Sequence, residues 1–194
     1  MIARAETLAE IVKKYDARKP AYYHPIYEEL FSPLRAARLA LLEIGIAAGN
    51  SLRAWCDYFP AARVHGIDLR IPPGEFPERV TMHEGDQSDI AFLRRVATAH
   101  GPFDVIIDDG SHKPDHWFAS WRALAPHLAP GGYYVIEDLQ APRHAWDGWP
   151  PEEVENMRAR LADLARPMLR QEPHNGIEWM KFHMHIFVAR KIKQ

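Results

Sequence analysis

The chain is poor in cysteine. Cys56 is the only thiol among 194 residues, so no disulfide can form within it, and a reducing, cytoplasmic compartment is expected. Long hydrophobic runs are missing too. The longest uncharged apolar stretch falls far short of the roughly 20 residues a membrane span needs. Met1 to Tyr15 carries charges throughout and reads as an amphipathic helix rather than a leader. Nor is there a surplus of charge of one sign: 24 Lys+Arg against 26 Asp+Glu give a formal net charge of -2. That balance argues against a nucleic acid as partner, because polyanion binders carry a basic patch. Finally, Gly45-Ile46-Ala47-Ala48-Gly49 lacks the G-x-G-x-x-G spacing of a dinucleotide site, which sets aside a nicotinamide-dependent dehydrogenase.

What is present is an apolar run, Leu41-Leu42-Glu43-Ile44, that ends in Gly45 and Gly49 and leads into Ser51 and a helix with Leu52, Trp55, Cys56 and Phe59 on one face. A continuous apolar run bounded by glycine reads as a strand buried on both faces. Glycines at the strand-to-helix turn let the backbone bend tightly and approach a ligand. Nineteen residues after Gly49, a second run (Val64, Gly66, Ile67) ends in Asp68, placed to accept hydrogen bonds from a ribose. These features predict a nucleoside-binding α/β domain.

Strands and helices alternate after residue 38, the pattern of a parallel sheet. Strands are expected at about 39–45, 63–68, 79–84, 103–108 and 132–137, and helices at about 50–59, 89–99, 114–128 and 151–169. The tail differs: Ile177 to Phe182 and His185 to Arg190 read as an antiparallel pair at the sheet edge, joined near His183-Met184. Residues 1–38 form an N-terminal helical extension, and 39–194 the nucleoside-binding domain. In the extension, a helix runs to about Tyr15. The polar break Asp16-Ala17-Arg18-Lys19-Pro20 follows, and Tyr22-Tyr23-His24 leads into a second helix. The extension is assigned to an acceptor site or to a contact within a homo-oligomer. The segment 139–150, with Arg143, His144, Trp146 and Trp149, follows the fifth strand and reads as a lid over the ligand.

Strand four ends Ile107-Asp108-Asp109-Gly110-Ser111-His112 and strand five ends Ile136-Glu137-Asp138. Both ends fall on one rim of the sheet. Clustered carboxylates repel one another unless a positive charge sits between them. Asp109, Glu137 and Asp138 are therefore candidate ligands of a hard divalent cation, Mg²⁺ before Ca²⁺ or Mn²⁺. Asp108 is expected to face a ligand's amino group. His112 would lie beside the metal and accept a proton from an activated hydroxyl. A zinc ion shared by His112 and His116 is the rival arrangement. After strand three, Asp86 or Gln87 is positioned for a purine edge, while Asp89 caps the next helix.

Taken in order, Leu42-Glu43-Ile44-Gly45, Ser51-Leu52-Arg53-Ala54-Trp55, Gly66-Ile67-Asp68, Gly85-Asp86-Gln87, Ile107-Asp108-Asp109-Gly110-Ser111-His112 and Val135-Ile136-Glu137-Asp138 resemble the class I S-adenosylmethionine-dependent methyltransferases. Within that class the chain is similar to the magnesium-dependent sugar O-methyltransferases of macrolide biosynthesis. The resemblance implies a Rossmann-like, seven-stranded, mostly parallel sheet whose last strand is antiparallel. It implies that Glu43, Gly45, Gly49 and Ser51 lie along the methionine end of S-adenosylmethionine, with Asp68 on the ribose. It also implies Asp109, Glu137 and Asp138 as magnesium ligands and His112 as catalytic base. The acceptor so implied is a small hydroxylated molecule, with neither a nucleic acid nor a membrane as partner. A metal-independent methyltransferase and a non-catalytic nucleoside-binding protein remain the alternatives. The chain departs from the family in its short glycine turn, in the segment Asp16–Ala21, and in lacking the extra N-terminal domain of some members.

Overall fold

Alternating side chains of each central strand go to opposite faces, and here both faces are covered. Leu41, Val105, Ile107, Val135 and Val188 join one apolar cluster, while Leu42, Ile44, Ile106, Tyr134, Ile136 and Phe187 join the other. In this computed structural model, which describes residues 4–139, 159–160, 162–163, 166, 176–183 and 185–193, the strands form one seven-stranded sheet. They are β1 (Ala40–Ile44), β2 (Arg63–Asp68), β3 (Val80–Glu84), β4 (Phe103–Asp108), β5 (Leu128–Ile136), β6 (Ile177–Phe182) and β7 (Phe187–Lys191), in the order β3-β2-β1-β4-β5-β7-β6. β1 to β5 pair in parallel, β7 is antiparallel to β5, and β6 closes the edge antiparallel to β7.

Helices α1 (Leu8–Tyr15), α2 (His24–Phe31) and α3 (Asn50–Tyr58) supply the first cluster; α4 (Ile90–His100) and α5 (Pro114–Leu124) supply the second. The N-terminal helices thus share a core with the sheet through Leu8, Ile11, Tyr23, Tyr27 and Phe31. Among the described residues, no helix is long and apolar enough to cross a membrane.

Three boundaries differ from expectation by more than two residues, each for a local reason. Helix α1 begins at Leu8 rather than near Met1, because Thr7 and Glu10 form a reciprocal capping box. Helix α5 stops at Leu124 and tightens into a 3₁₀ turn at Ala125–His127, where Pro126 has no N–H to continue the α-helical ladder. Strand β5 starts at Leu128, four residues early, because a register irregularity opposite Phe103 and Val105 absorbs Gly131 and Gly132. The expected lid at 139–150 and helix at 151–169 fall, except for Leu139 and a few positions, outside the described residues.

Strand order reverses between β1 and β4, so the crevice beyond their carboxyl ends is where an open α/β sheet takes a ligand.

Candidate active site

The β1 turn is built by close packing of backbone. Gly45 adopts φ +81°, and a Cβ there would stand 2.1 Å from the Asp109 carbonyl oxygen. Asp68, at the tip of β2, accepts hydrogen bonds from the backbone N–H groups of Ile46 (2.9 Å) and Ala47 (3.0 Å) through one oxygen, Oδ2. It therefore pins the turn with half its carboxylate, and Oδ1 accepts no hydrogen bond from the described residues. Gly49 adopts φ +74° at the start of α3, but the space over it is filled by the Phe76 ring, at 2.4 Å from an added Cβ, and it does not line the ligand cavity.

Below this turn the carboxylates meet a buried ammonium. Lys19 Nζ lies 2.6 Å from Asp109 Oδ2, 2.8 Å from Glu137 Oε1 and 2.9 Å from Glu43 Oε1. Three N–H donors thus meet three carboxylates in a side chain only 2% exposed. Burial opposes the charged form, yet Asp109, Glu137 and Glu43 hold the Lys19 pKa well above the ordinary lysine value. Burial raises the pKa of Asp109 and of Glu137, and their mutual charge raises Glu137 further. Glu137 Oε1 also accepts from Tyr27. Glu43 accepts from Ser51 Oγ and, at 3.2 Å, from Trp55 Nε1. Glu43 and Ser51, expected along the cofactor, are instead buried, bonded to each other, and outside the cavity lining. They seat Lys19 and α3 because every oxygen of a buried carboxylate needs a donor.

Toward solvent, ligand atoms of Asp109, His112 and Asp138 lie within 4.8 Å of one another. His112 Nε2 is 3.9 Å from Asp138 Oδ2, and His112 Nδ1 is buried without a hydrogen-bond partner among the described residues. Tyr23 OH donates to Asp138 Oδ1 at 2.7 Å and accepts from the Asp138 N–H at 2.9 Å, which fixes that residue. Two carboxylate oxygens with an adjacent imidazole suit a hard or borderline divalent ion. Glu137 stands apart from this group, its Oε1 committed to Lys19 and Tyr27. The group opens on a cavity of about 930 Å³ that is also lined by Arg18, Tyr22, Gly45, Asp68, Asp86 and His116. Arg18, Ala47, His112 and Asp138 line it with φ values of 45–57° on non-glycine residues. Such backbone is costly and gathers where a site is held in a set geometry.

Two expectations are corrected here. Asp108 faces no ligand: it is fully buried, accepts from Ser120 and Gln87, and burial pushes its pKa up to about 6. Gln87 touches the cavity, but both ends of its amide are used, donating to Asp108 Oδ1 at 3.1 Å and accepting from Ser111 N–H at 2.6 Å. It ties β4 to the loop after β3 and has little left for a purine. Asp86 is exposed on the cavity and accepts from Ser88 N–H through Oδ1. The zinc arrangement lacks support, since His116 Nδ1 pairs with Ser111 Oγ at 2.9 Å and His116 is not among the converging ligand atoms.

Residues 42–139 match the family model described as a methyltransferase domain. The chain belongs to that methyltransferase family. Relatives include the 8-demethyl-8-(2-methoxy-alpha-L-rhamnosyl)-tetracenomycin-C 3'-O-methyltransferase of Streptomyces olivaceus, 40% identical over 147 residues, 71% of this chain and 38% of the relative. The mycinamicin VI 2''-O-methyltransferase of Micromonospora griseorubida is 38% identical over 147 residues, 71% of this chain and 37% of its own. Among solved structures, the MycE methyltransferase of the mycinamycin pathway, in complex with Mg, SAH and mycinamycin VI, superposes with a TM-score of 0.87 at 30% identity, over 98% of this chain and 56% of that one. The chain therefore spans under two fifths of these curated relatives and just over half of that solved chain.

Sequence reasoning missed Lys19 and Tyr27, and did not foresee Tyr23 as the anchor of Asp138. The signal available was the unmet need for positive charge among the clustered carboxylates. The Asp16–Pro20 break supplied a lysine, but nothing local showed that it reaches across the sheet.

Proposed function

We propose that the protein is an S-adenosylmethionine-dependent, magnesium-assisted O-methyltransferase acting on a hydroxyl of a small molecule, a sugar or a natural-product glycoside. One observation carries the reading: Asp109, His112 and Asp138 converge on the same cavity as the Gly45 turn and Asp68. The relatives' names, a 3'-O-methyltransferase of a rhamnosyl-tetracenomycin and a 2''-O-methyltransferase of mycinamicin VI, support a glycoside as acceptor.

Asp68 Oδ1 and Asp86 hold the nucleoside, and the Gly45 turn lets the cofactor approach the backbone. Asp109 and Asp138 would hold the cation beside His112, while Glu137 holds Lys19 and Tyr27. Held there, a divalent ion would supply Lewis-acid chemistry, lowering the pKa of an acceptor hydroxyl. His112 would take the proton of the acceptor hydroxyl as its oxygen attacks the methyl group that S-adenosylmethionine would supply, the cofactor leaving as the thioether. The sulfonium is already a good electrophile, so holding the three participants in line is the protein's main contribution. Residues 1–38, whose Arg18, Pro20 and Tyr22 line the cavity, form the acceptor side of the domain at 39–194 and a surface for self-association.

Calorimetric titration with S-adenosylmethionine, with and without Mg²⁺, followed by mass-spectrometric methyl transfer to a panel of glycosides, tests this. His112→Ala should keep cofactor affinity and lose about 10²–10⁴ in turnover. Full activity after exhaustive EDTA would remove the metal from the mechanism, and cofactor binding without turnover on any hydroxylated acceptor would favour a binding protein.

A further inference from the structure

The ammonium of Lys19 fills the space that a cation would otherwise claim. Its three oxygen partners stand 2.6–2.9 Å from Nζ, and a contraction of about half an ångström would turn that cage into the oxygen shell of a divalent ion, 2.0–2.6 Å in radius. A second set of donor atoms, from Asp109, His112 and Asp138, lies on the cavity side. Asp109 belongs to both sets: Oδ2 binds Lys19, and Oδ1 accepts no hydrogen bond from the described residues. The carboxylates thus offer an inner cage walled by Glu43, Trp55 and Tyr27, closed to substrate, and an outer one beside His112.

We propose that Lys19 is a positioning residue that closes the inner cage to the divalent ion and so confines the ion to the outer position, within reach of His112 and the acceptor. The assignment rests on the metal-assisted reading above. Its consequence is a trade: an ammonium sharing Asp109 with a doubly charged ion repels it, so metal affinity is held below what the carboxylates alone would give. An ion in the inner cage would be bound more tightly and be useless, since Glu43 is wholly buried and borders no part of the cavity.

The test is Mn²⁺ binding by calorimetry, with thermal unfolding in EDTA and in Mn²⁺, on wild type, Lys19→Met and the charge-compensated Lys19→Met/Glu43→Gln. The double variant keeps the buried charge balance if the single one fails to fold. Wild type should bind one ion. Lys19→Met should bind Mn²⁺ at least about tenfold more tightly, because a like charge beside the ion is gone; the double variant, which also gives up the Glu43 charge, should gain less, and both should be stabilised by Mn²⁺ more than wild type is. Methyl transfer should nonetheless fall about a hundredfold or more, as the ion leaves His112. A purely structural lysine predicts the opposite: lower stability with equal or weaker Mn²⁺ binding. Folded variants of that kind would overturn the assignment. Wild type that binds no Mn²⁺ would instead overturn the metal-assisted function itself, whatever the variants do.

Discussion

A methyl group at Gly45 would meet the Asp109 carbonyl oxygen at 2.1 Å and Gly110 Cα at 2.5 Å, on a backbone with φ +81°. Both obstacles are main chain, so no side chain can move aside. Gly45→Ala should therefore lose about 2 kcal/mol or more of stability, read by chemical denaturation. It should weaken S-adenosylmethionine binding too, because any relief displaces Asp109. At this scale the sequence was informative about residue type and silent about direction. Asp108 and Asp109 are adjacent and chemically alike, but successive strand residues point to opposite faces. Asp108 thus goes into the core against Ser120 and Gln87, while Asp109 goes to Lys19 and the cavity. A short acidic pair does not say which member turns inward; the packing of α5 against β4 does. The same holds for Glu43, whose position on β1 was legible but whose partner, Lys19, lies 24 residues away on an irregular segment.

At the scale of elements, β2, β3 and the end of α4 bring three histidines together outside the site. His65 Nδ1 and His83 Nε2 are 3.3 Å apart, and the His100 ring lies 4.9 Å from that of His65 and 4.8 Å from that of His83, centroid to centroid. A nitrogen-to-nitrogen hydrogen bond needs one proton shared between two neutral rings. Burial lowers the His65 pKa from 6.5 to about 4, helped by His100, His83 and Arg63; burial and His100 lower His83. Since the folded-state values lie below the unfolded one, the unfolded chain binds more protons, and stability is full above pH 6.5 and falls as pH drops toward 4. His65 alone accounts for up to about 3 kcal/mol over that window. Unfolding midpoints between pH 7 and 4.5 should decline steeply, and His65→Gln should flatten the slope; a flat wild-type profile would contradict the cluster's role. Elements themselves were largely legible. The limits of β2 and β4 match expectation residue for residue, because apolar runs stop at Asp68 and Asp108. Errors of boundary came where a cap, a proline or a strand irregularity acts on the backbone without altering hydrophobic period.

For the whole molecule, the C-terminal pair decides whether the sheet is finished. Ile186, Phe187, Val188 and Ala189 are fully buried, and β7 covers the edge of β5 from Tyr133 to Ile136. A chain ending at residue 175 would expose both that edge and the apolar faces on either side of it. It should lose cooperative thermal unfolding by circular dichroism and aggregate. The fold class followed from pattern alone. Alternating buried strands and amphipathic helices leave few arrangements, and right-handed parallel crossovers then place Asp68, Asp109 and Asp138 on one rim.

The chain's order of apolar runs, glycines and acidic strand ends was enough to determine an α/β sheet and to nominate Asp109, Glu137, Asp138 and His112 at its carboxyl rim, because strand ends follow from local period. Tertiary structure alone decided which carboxylates meet the cavity and which meet Lys19. That choice depends on a buried charge finding its partners across 90 and 118 residues of chain, to Asp109 and Glu137. Electrostatic pairing at such separations leaves no periodic trace in the sequence.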